Sequence, residues 1–294
     1  MLRARRSLVL RLVSAVLLGL GSFLGLGSAF AADAPSDAIA QADAAYLLRY
    51  DLASLQEALD LYESVLPDLE SLPVQNQAHV LNRLCQLCYE KAMFSEGNTP
   101  DDEQLFKDGK EYGFRSLRLN EDFASRESAG LEFALQFATI DDAMAMHWLA
   151  NVWGMHLEMN PIQGLIEQGS VMLLFERTIE LDEDFWGASA VSALGSLLIM
   201  VPGIMGGNQE RGLAMVEASI ELDPGYLHNR IILAEYWGFT YNMFGAITGV
   251  RDADLIEREC ALVLEGEIGD WPFWNRQAKL EAERLLQLLA DWSD

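Results

Sequence analysis

Val201 to Trp237 reads VPGIMGGNQERGLAMVEASIELDPGYLHNRIILAEYW. Gly206 and Gly207 make a turn, an amphipathic helix follows, Asp223-Pro224-Gly225 breaks it, and a second helix begins. In the first helix Gly212, Val216, Ser219 and Leu222 fall at steps of four, three and three, which puts small and bulky apolar residues on one face. That spacing predicts a helical hairpin whose neighbours approach closely. One such hairpin cannot bury its apolar face alone, so the reading implies a stack of similar units.

The close of this stretch, SIELDPGYL from Ser219 to Leu227, recurs as SLRLNEDFA from Ser116 to Ala124 and TIELDEDFW from Thr178 to Trp186. Gly109, Gly113, Ser116 and Leu119 hold the face positions in the first copy, and Val171, Phe175, Thr178 and Leu181 in the second. Each copy ends in an acid-rich turn and an aromatic that starts the next helix. The fold class expected is all-α, an irregular α-solenoid of tetratricopeptide-like helical hairpins with about twelve helices and no strand. Their spans read as 36 to 50, 52 to 70, 74 to 94, 100 to 119, 122 to 139, 141 to 157, 162 to 182, 184 to 200, 208 to 222, 225 to 239, 252 to 265 and 272 to 292.

Residues 1–31 differ in kind. Arg3, Arg5, Arg6 and Arg11 lead into an apolar run from Leu12 to Leu26, and Ala29-Phe30-Ala31 supplies small residues for a cut, the pattern of a secretory signal peptide. Residues 32–294 are then one exported domain, periplasmic, with no cysteine beside the cut to carry a lipid anchor. Arg5-Arg6 is a partial twin-arginine signal, and the Sec route is the default. Without those four arginines the chain carries 16 basic against 45 acidic residues, a formal charge of −29. Such a surface repels phosphate, which argues against nucleic acid and anionic membrane as partners.

Cys85 and Cys88 form a C-x-x-C inside an apolar-periodic helix, with Cys260 far away. Helical residues three apart hold their Cβ atoms about 5 to 6 Å apart, whereas a disulfide wants about 3.5 to 4.5 Å. Buried small side chains are the expectation, with redox or metal chemistry as the alternative. Gly206-Gly207 lacks the Lys-Ser/Thr of a phosphate loop, and neither G-x-S-x-G nor H-E-x-x-H occurs. The residues therefore point to no catalytic group, metal ligand or cofactor, and to a binding protein rather than an enzyme.

Two binding candidates stand out. His147 and Asn151 are four apart on one helix and read either as a hydrogen-bonded core pair or as the polar lining of a ligand cavity walled by Trp148 and Trp153. His156 and Glu158 are expected at a solvated helix end. The stretch from Thr240 to Val250 carries Tyr241, Met243, Phe244 and Ile247 among Gly245 and Gly249, too apolar for a bare connection. It reads as a lid, a partner contact or a subunit contact.

Taken with DDAMAMHWLANVWGMHL from Asp141, the GGN turn, the AEYW of Ala234 to Trp237 and WNRQAKLEAERLL from Trp274, the chain resembles the T component of TRAP transporters. The resemblance implies an all-helical periplasmic protein working beside the solute-binding protein of a tripartite transporter, with self-association and a small apolar or organic-acid ligand. The competing expectation is a generic cell-envelope scaffold for protein assembly with no small-molecule ligand.

Overall fold

The computed structural model describes residues 35–95, 99–242 and 245–293. The export segment read over residues 1–31 lies outside them. Ala34–Asp294 form one compact unit. In chain order its elements are α1 (Pro35–Tyr46), α2 (Leu52–Val65), α3 (Val74–Ala92), α4 (Pro100–Leu117), α5 (Glu121–Ala124), α6 (Leu131–Leu135), α7 (Ala143–Met159), α8 (Pro161–Leu181), α9 (Phe185–Met200), α10 (Gln209–Leu222) and α11 (His228–Ile232). A π-helical turn (Leu233–Trp237), β1 (Phe239–Tyr241), β2 (Ile247–Val250), α12 (Ala253–Glu265) and α13 (Trp274–Ser293) complete it. The class is all-α, built of helical hairpins.

The Val201–Trp237 stretch folds as its spacing requires. Gly206 adopts φ +96°, and Asn208 caps α10 by accepting the Arg211 N–H at 3.0 Å. α9 and α10 then meet through glycines. A Cβ on Gly212 would lie 2.5 Å from the Gly195 carbonyl oxygen, and one on Gly195 would lie 2.7 Å from Val216 Cγ2. The first repeat copy packs likewise: a Cβ on Gly113 would sit 3.3 Å from Cys85 Sγ, and one on Gly109 would sit 3.1 Å from Cys88 Cβ. Cys85 and Cys88 are thus free, buried side chains small enough to let α3 and α4 close.

Three spans depart from expectation. The helix read over 122 to 139 is broken into α5, a 3-10 turn and α6. Asn120 restarts the chain by accepting the N–H groups of Asp122 and Phe123, and Gly130 bends it at φ +118°, a conformation that only glycine adopts cheaply. The helix read over 225 to 239 stops at α11, passes through the π turn and ends in strand. That strand is the second correction to an all-helical expectation. β1 and β2 pair antiparallel, with Phe239 opposite Val250 and Tyr241 opposite Ile247 across a bulge, so the two described ends of the stretch 240 to 250 are paired strands of a hairpin.

α13 returns to the opening stretch. Asn275, fully buried, accepts the Leu227 N–H at 2.9 Å and donates to the Gly225 carbonyl at 2.8 Å, while Trp271 Nε1 donates to Asp223 at 3.0 Å. The Asp-Pro-Gly turn is therefore the seat of the last helix as well as the end of α10. Among the described residues no helix is long and apolar enough to cross a membrane.

Candidate functional site

A 3-10 turn (Ile140–Asp142) leads into α7, and Asp142 fastens it by accepting the Thr139 N–H at 2.8 Å. The helix is apolar on nearly every side, which a helix tolerates only when neighbours surround it. Its two sides do different things. Toward α4, Leu149 and Val152 are fully buried and meet Gly113 and Gly109. Toward α9 and α11, the side bearing His147, Trp148 and Asn151 lines a cavity.

That cavity has two adjoining chambers that share part of their lining. The inner one, about 100 Å³, is walled by His147, Trp148 and Asn151 of α7, Ser189 and Ser192 of α9, Tyr89 of α3, His228 of α11 and Trp274 of α13. The outer one, about 420 Å³, is formed by α8, the end of α9 and the π turn, with Tyr241 and Ile247 of the hairpin as one wall. Gly154, Glu158, Val171, Ser196, Leu197 and Tyr236 belong to both, so the border between the chambers, their neck, lies at these residues. The outer chamber reaches the surface at Pro161, Leu165, Pro202 and Asn242, all exposed.

Of the four ligand candidates, three meet in the inner chamber. Asn151 Nδ2 donates to the His147 carbonyl at 2.8 Å and lies 3.3 Å from His147 Nε2, which also lies 3.2 Å from Ser189 Oγ. With the amide donating, Nε2 accepts and the ring proton sits on Nδ1, which has no partner. Trp153 lines neither chamber. Its ring lies under Lys110 Nζ, 3.7 Å from the centroid, and its Nε1 donates to Glu167 at 2.8 Å, so it fastens α7 to α4 and α8. One step along the helix from Val152 turns a side chain away from the opening.

Of the four contact candidates, Tyr241 and Ile247 line the outer chamber instead of standing free of the molecule. The Tyr241 hydroxyl donates to the Glu235 carbonyl at 3.0 Å, and its ring stacks on Tyr236 with centroids 6.0 Å apart. Met243 and Phe244 lie outside the described residues.

The floor under Trp148 is set by an unusual turn. Trp186, Gly187 and Ala188 take φ of 52°, 65° and 57°, a left-handed entry to α9. A Cβ on Gly187 would lie 2.8 Å from Tyr226 Cβ, so the centre of this turn requires glycine. Its carbonyl accepts from the buried Asn229 amide at 2.9 Å, and the turn brings the Trp186 ring to 5.3 Å from Trp148. Trp148 in turn stacks on Trp274, centroids 5.9 Å apart.

Electrostatically the cavity is acidic. Burial lowers the pKa of His147 to about 3 and that of His228 to about 4, so both rings are neutral at physiological pH. Glu158 touches water but is surrounded by protein. Loss of bulk solvation, then the nearby Glu235 carboxylate, push its pKa up to about 7. Glu235 is itself raised by burial and held by Arg284 at 2.6 Å. The expectation of a solvated helix end holds for Glu158, exposed in the last turn of α7, and fails for His156. His156 is buried, 7% exposed, while Glu158 is exposed where it borders both chambers.

The residues that sequence reasoning missed are Glu158, Ser189, His228, Glu235 and Tyr236. The π turn is what aims the last two. One extra residue per turn shifts the AEYW segment out of α-helical register, so Glu235 and Tyr236 both line the outer chamber. AEYW was legible as a family mark but its register was not.

The family model for the TRAP transporter T-component matches residues 98–241. Residues 98–241 belong to the TRAP transporter T-component family. No curated protein matches the chain. The matched segment runs from the start of α4 to β1, and it contains His147, Asn151, Glu158, Glu235 and Tyr236. Tyr89 and Trp274, which complete the inner chamber, come from helices outside it. The T-component family is a transporter component, not one defined by catalysis. Among the described residues no group of three or more His, Cys, Asp or Glu is placed to hold a metal ion.

Proposed function

We propose that this T-component protein is exported as residues 32–294 and works in the periplasm beside the solute-binding protein of its TRAP transporter, holding a small, largely apolar ligand in the two-chambered cavity. The cavity carries this reading. It is mostly apolar, has a few fixed polar groups, and its outer chamber falls within the range of about 300 to 1,000 Å³ typical of ligand sites. Most of it is built from the segment that matches the family.

Docking of the solute-binding protein over the mouth is supported by the rim. Ile162 and Ile166 are each 81% exposed on the first turns of α8, beside the mouth residues Pro161 and Leu165, and Ile204 is 98% exposed beside Pro202. Exposed apolar side chains grouped at an opening favour a contact surface. The test is a pull-down from periplasm with the exported protein as bait, reading co-purified proteins and extracted small molecules by mass spectrometry. Recovery of the solute-binding protein, lost in an Ile162→Asp/Ile166→Asp variant, is the expected result. Recovery of envelope assembly proteins with an empty cavity replaces this reading by the scaffold one.

A further inference from the structure

The resemblance to transporters of organic acids suggests an anionic cargo, yet the cavity is built for the opposite charge. Neither chamber has a lysine or arginine in its wall. Three arginines behind the wall act on its tyrosines: Arg284 is held by Glu235 and Glu281, Arg49 by Glu90, and Arg251 lies over the Trp237 ring. The ionisable wall groups of formal charge are Glu158, at the neck, and Glu235, in the outer chamber. Among the described residues Glu158 forms no ion pair and no side-chain hydrogen bond, while Tyr89, Tyr236 and Tyr241 each feel its charge. Glu158 is exposed and borders both chambers, so it offers a carboxylate without a protein partner to whatever enters there.

The inner wall supplies the rest of such a site. Tyr89, Trp148, Tyr226 and Trp274 are contiguous, with ring centroids 5.9 to 6.1 Å apart, and all four face the inner chamber. The negative π faces of such rings attract ammonium groups, most strongly when water is excluded. At about 100 Å³ the chamber is somewhat smaller than the roughly 150 Å³ cavity that takes benzene. It suits a methylated ammonium head. Trp274 is 3% exposed and His147 2% exposed, and Trp274 Nε1 and His147 Nδ1 have no hydrogen-bond partner.

We infer that the ligand is an organic cation, an amine or quaternary ammonium compound, with its charged nitrogen at the neck against Glu158 and its N-methyl or methylene groups reaching the aromatic wall of the inner chamber. This rests on the cavity being a ligand site, as proposed above, and it excludes a carboxylate solute from that site.

Three probes of one shape test it: benzyl(2-hydroxyethyl)dimethylammonium, its neutral carbon isostere 3,3-dimethyl-4-phenylbutan-1-ol, and the anion 3,3-dimethyl-4-phenylbutanoate. Each is titrated into the exported protein at pH 8 by calorimetry and by quenching of tryptophan fluorescence. The cation should bind at least about tenfold more tightly than the alcohol, a difference of about 1.4 kcal/mol, and the anion more weakly than both. Glu158→Gln should bring cation and alcohol to within about twofold while leaving the alcohol's affinity unchanged, and Glu158→Asp should restore part of the preference. Equal affinities in the wild-type protein, a stronger anion, or a preference that survives Glu158→Gln overturns the inference and leaves the cavity reading standing. Binding of none of the three overturns both.

Discussion

Toward α4, the helix α7 packs with no room to spare: a Cβ on Gly113 would lie 2.8 Å from Leu149 Cβ, and one on Gly109 would lie 3.0 Å from Val152 Cγ1. Toward α8 the same helix leaves a gap, where a Cβ on its own Gly154 would meet only Val171 Cγ1 at 3.7 Å. The residue type is the same and the meaning is opposite. Glycine brings two helices together on the first side, and on the second it keeps a neck open. The solid side rests on shape. The hollow side rests on hydrogen bonds, such as those of Asn151 and Asn229, and on rings that stand edge to face around the space.

The sharpest way to break this comparison is to add methyl groups to both sides. Gly113→Val should cost about 3 kcal/mol or more in urea denaturation, because Leu149 and Cys85 have nowhere to move. Gly154→Ala should instead raise stability by about 1 kcal/mol, the gain in helix propensity with no clash. Similar losses at the two positions would mean that the hollow side is as tightly filled as the other.

Removing a hydrogen-bond donor probes the hollow side's own means of support. Asn229 is fully buried and donates to the carbonyls of Gly187 and Ser219 at 2.9 and 3.0 Å. Asn229→Ala should cost about 2 kcal/mol by leaving buried carbonyls unpaired. It should also alter tryptophan fluorescence, since the left-handed turn carries Trp186 against Trp148. A loss in stability with unchanged fluorescence would separate the turn from the chamber floor.

Filling the neck should act on binding alone. Ser196 borders both chambers, and a Ser196→Phe side chain has open space to enter. The expected outcome is a change in melting temperature equivalent to less than about 1 kcal/mol, well below a core overpacking penalty, with probe affinity down by more than about tenfold. A large destabilisation would show that the neck closes in solution.

The smallest effect is that of pH. Glu158 binds its proton more tightly in the folded chain, with a pKa of about 7, than in the unfolded one, where it is ordinary. The folded state therefore holds more protons between about pH 4.5 and 7, and this carboxylate costs stability as pH rises through that window. Glu158→Gln should gain on the wild-type protein at pH 8 and lose that advantage at pH 5. His147 and His228, depressed by burial, act in the other direction below their ordinary pKa, and Glu235 stays paired with Arg284. These groups are common to both proteins, so the difference between their melting curves isolates Glu158.

Much of the fold was legible because helix ends leave local marks. Thr99 with Pro100 and Asp102, Asn208 before α10 and Asp252 before α12 cap where their side chains can reach the backbone. The repeat copies were legible because Gly109, Gly113 and Gly212 sit at contacts that exclude any larger side chain. The cavity was only half legible. His147, Trp148 and Asn151 share a helix face, so spacing brought them together. Trp274 and Tyr89 come from the last helix and from α3, and nothing local announces that they meet. Trp153 looked equivalent to Trp148 because both lie on an apolar helix, and only the tertiary arrangement tells a wall from a clamp. Glu158 was legible as an exposed residue near a helix end, but not as a residue that borders both chambers.

α13 supplies both Trp274 and the Asn275 hydrogen bonds that seat it on the Asp-Pro-Gly turn, and its partners in the inner chamber begin at Tyr89. Closing the chamber therefore joins positions separated by nearly two hundred residues of chain. Such long-range contacts form late in folding, because the chain between them must be ordered first. On the proposed function, a ligand has no chamber to enter until the last helix has docked, so loading would follow completion of the fold.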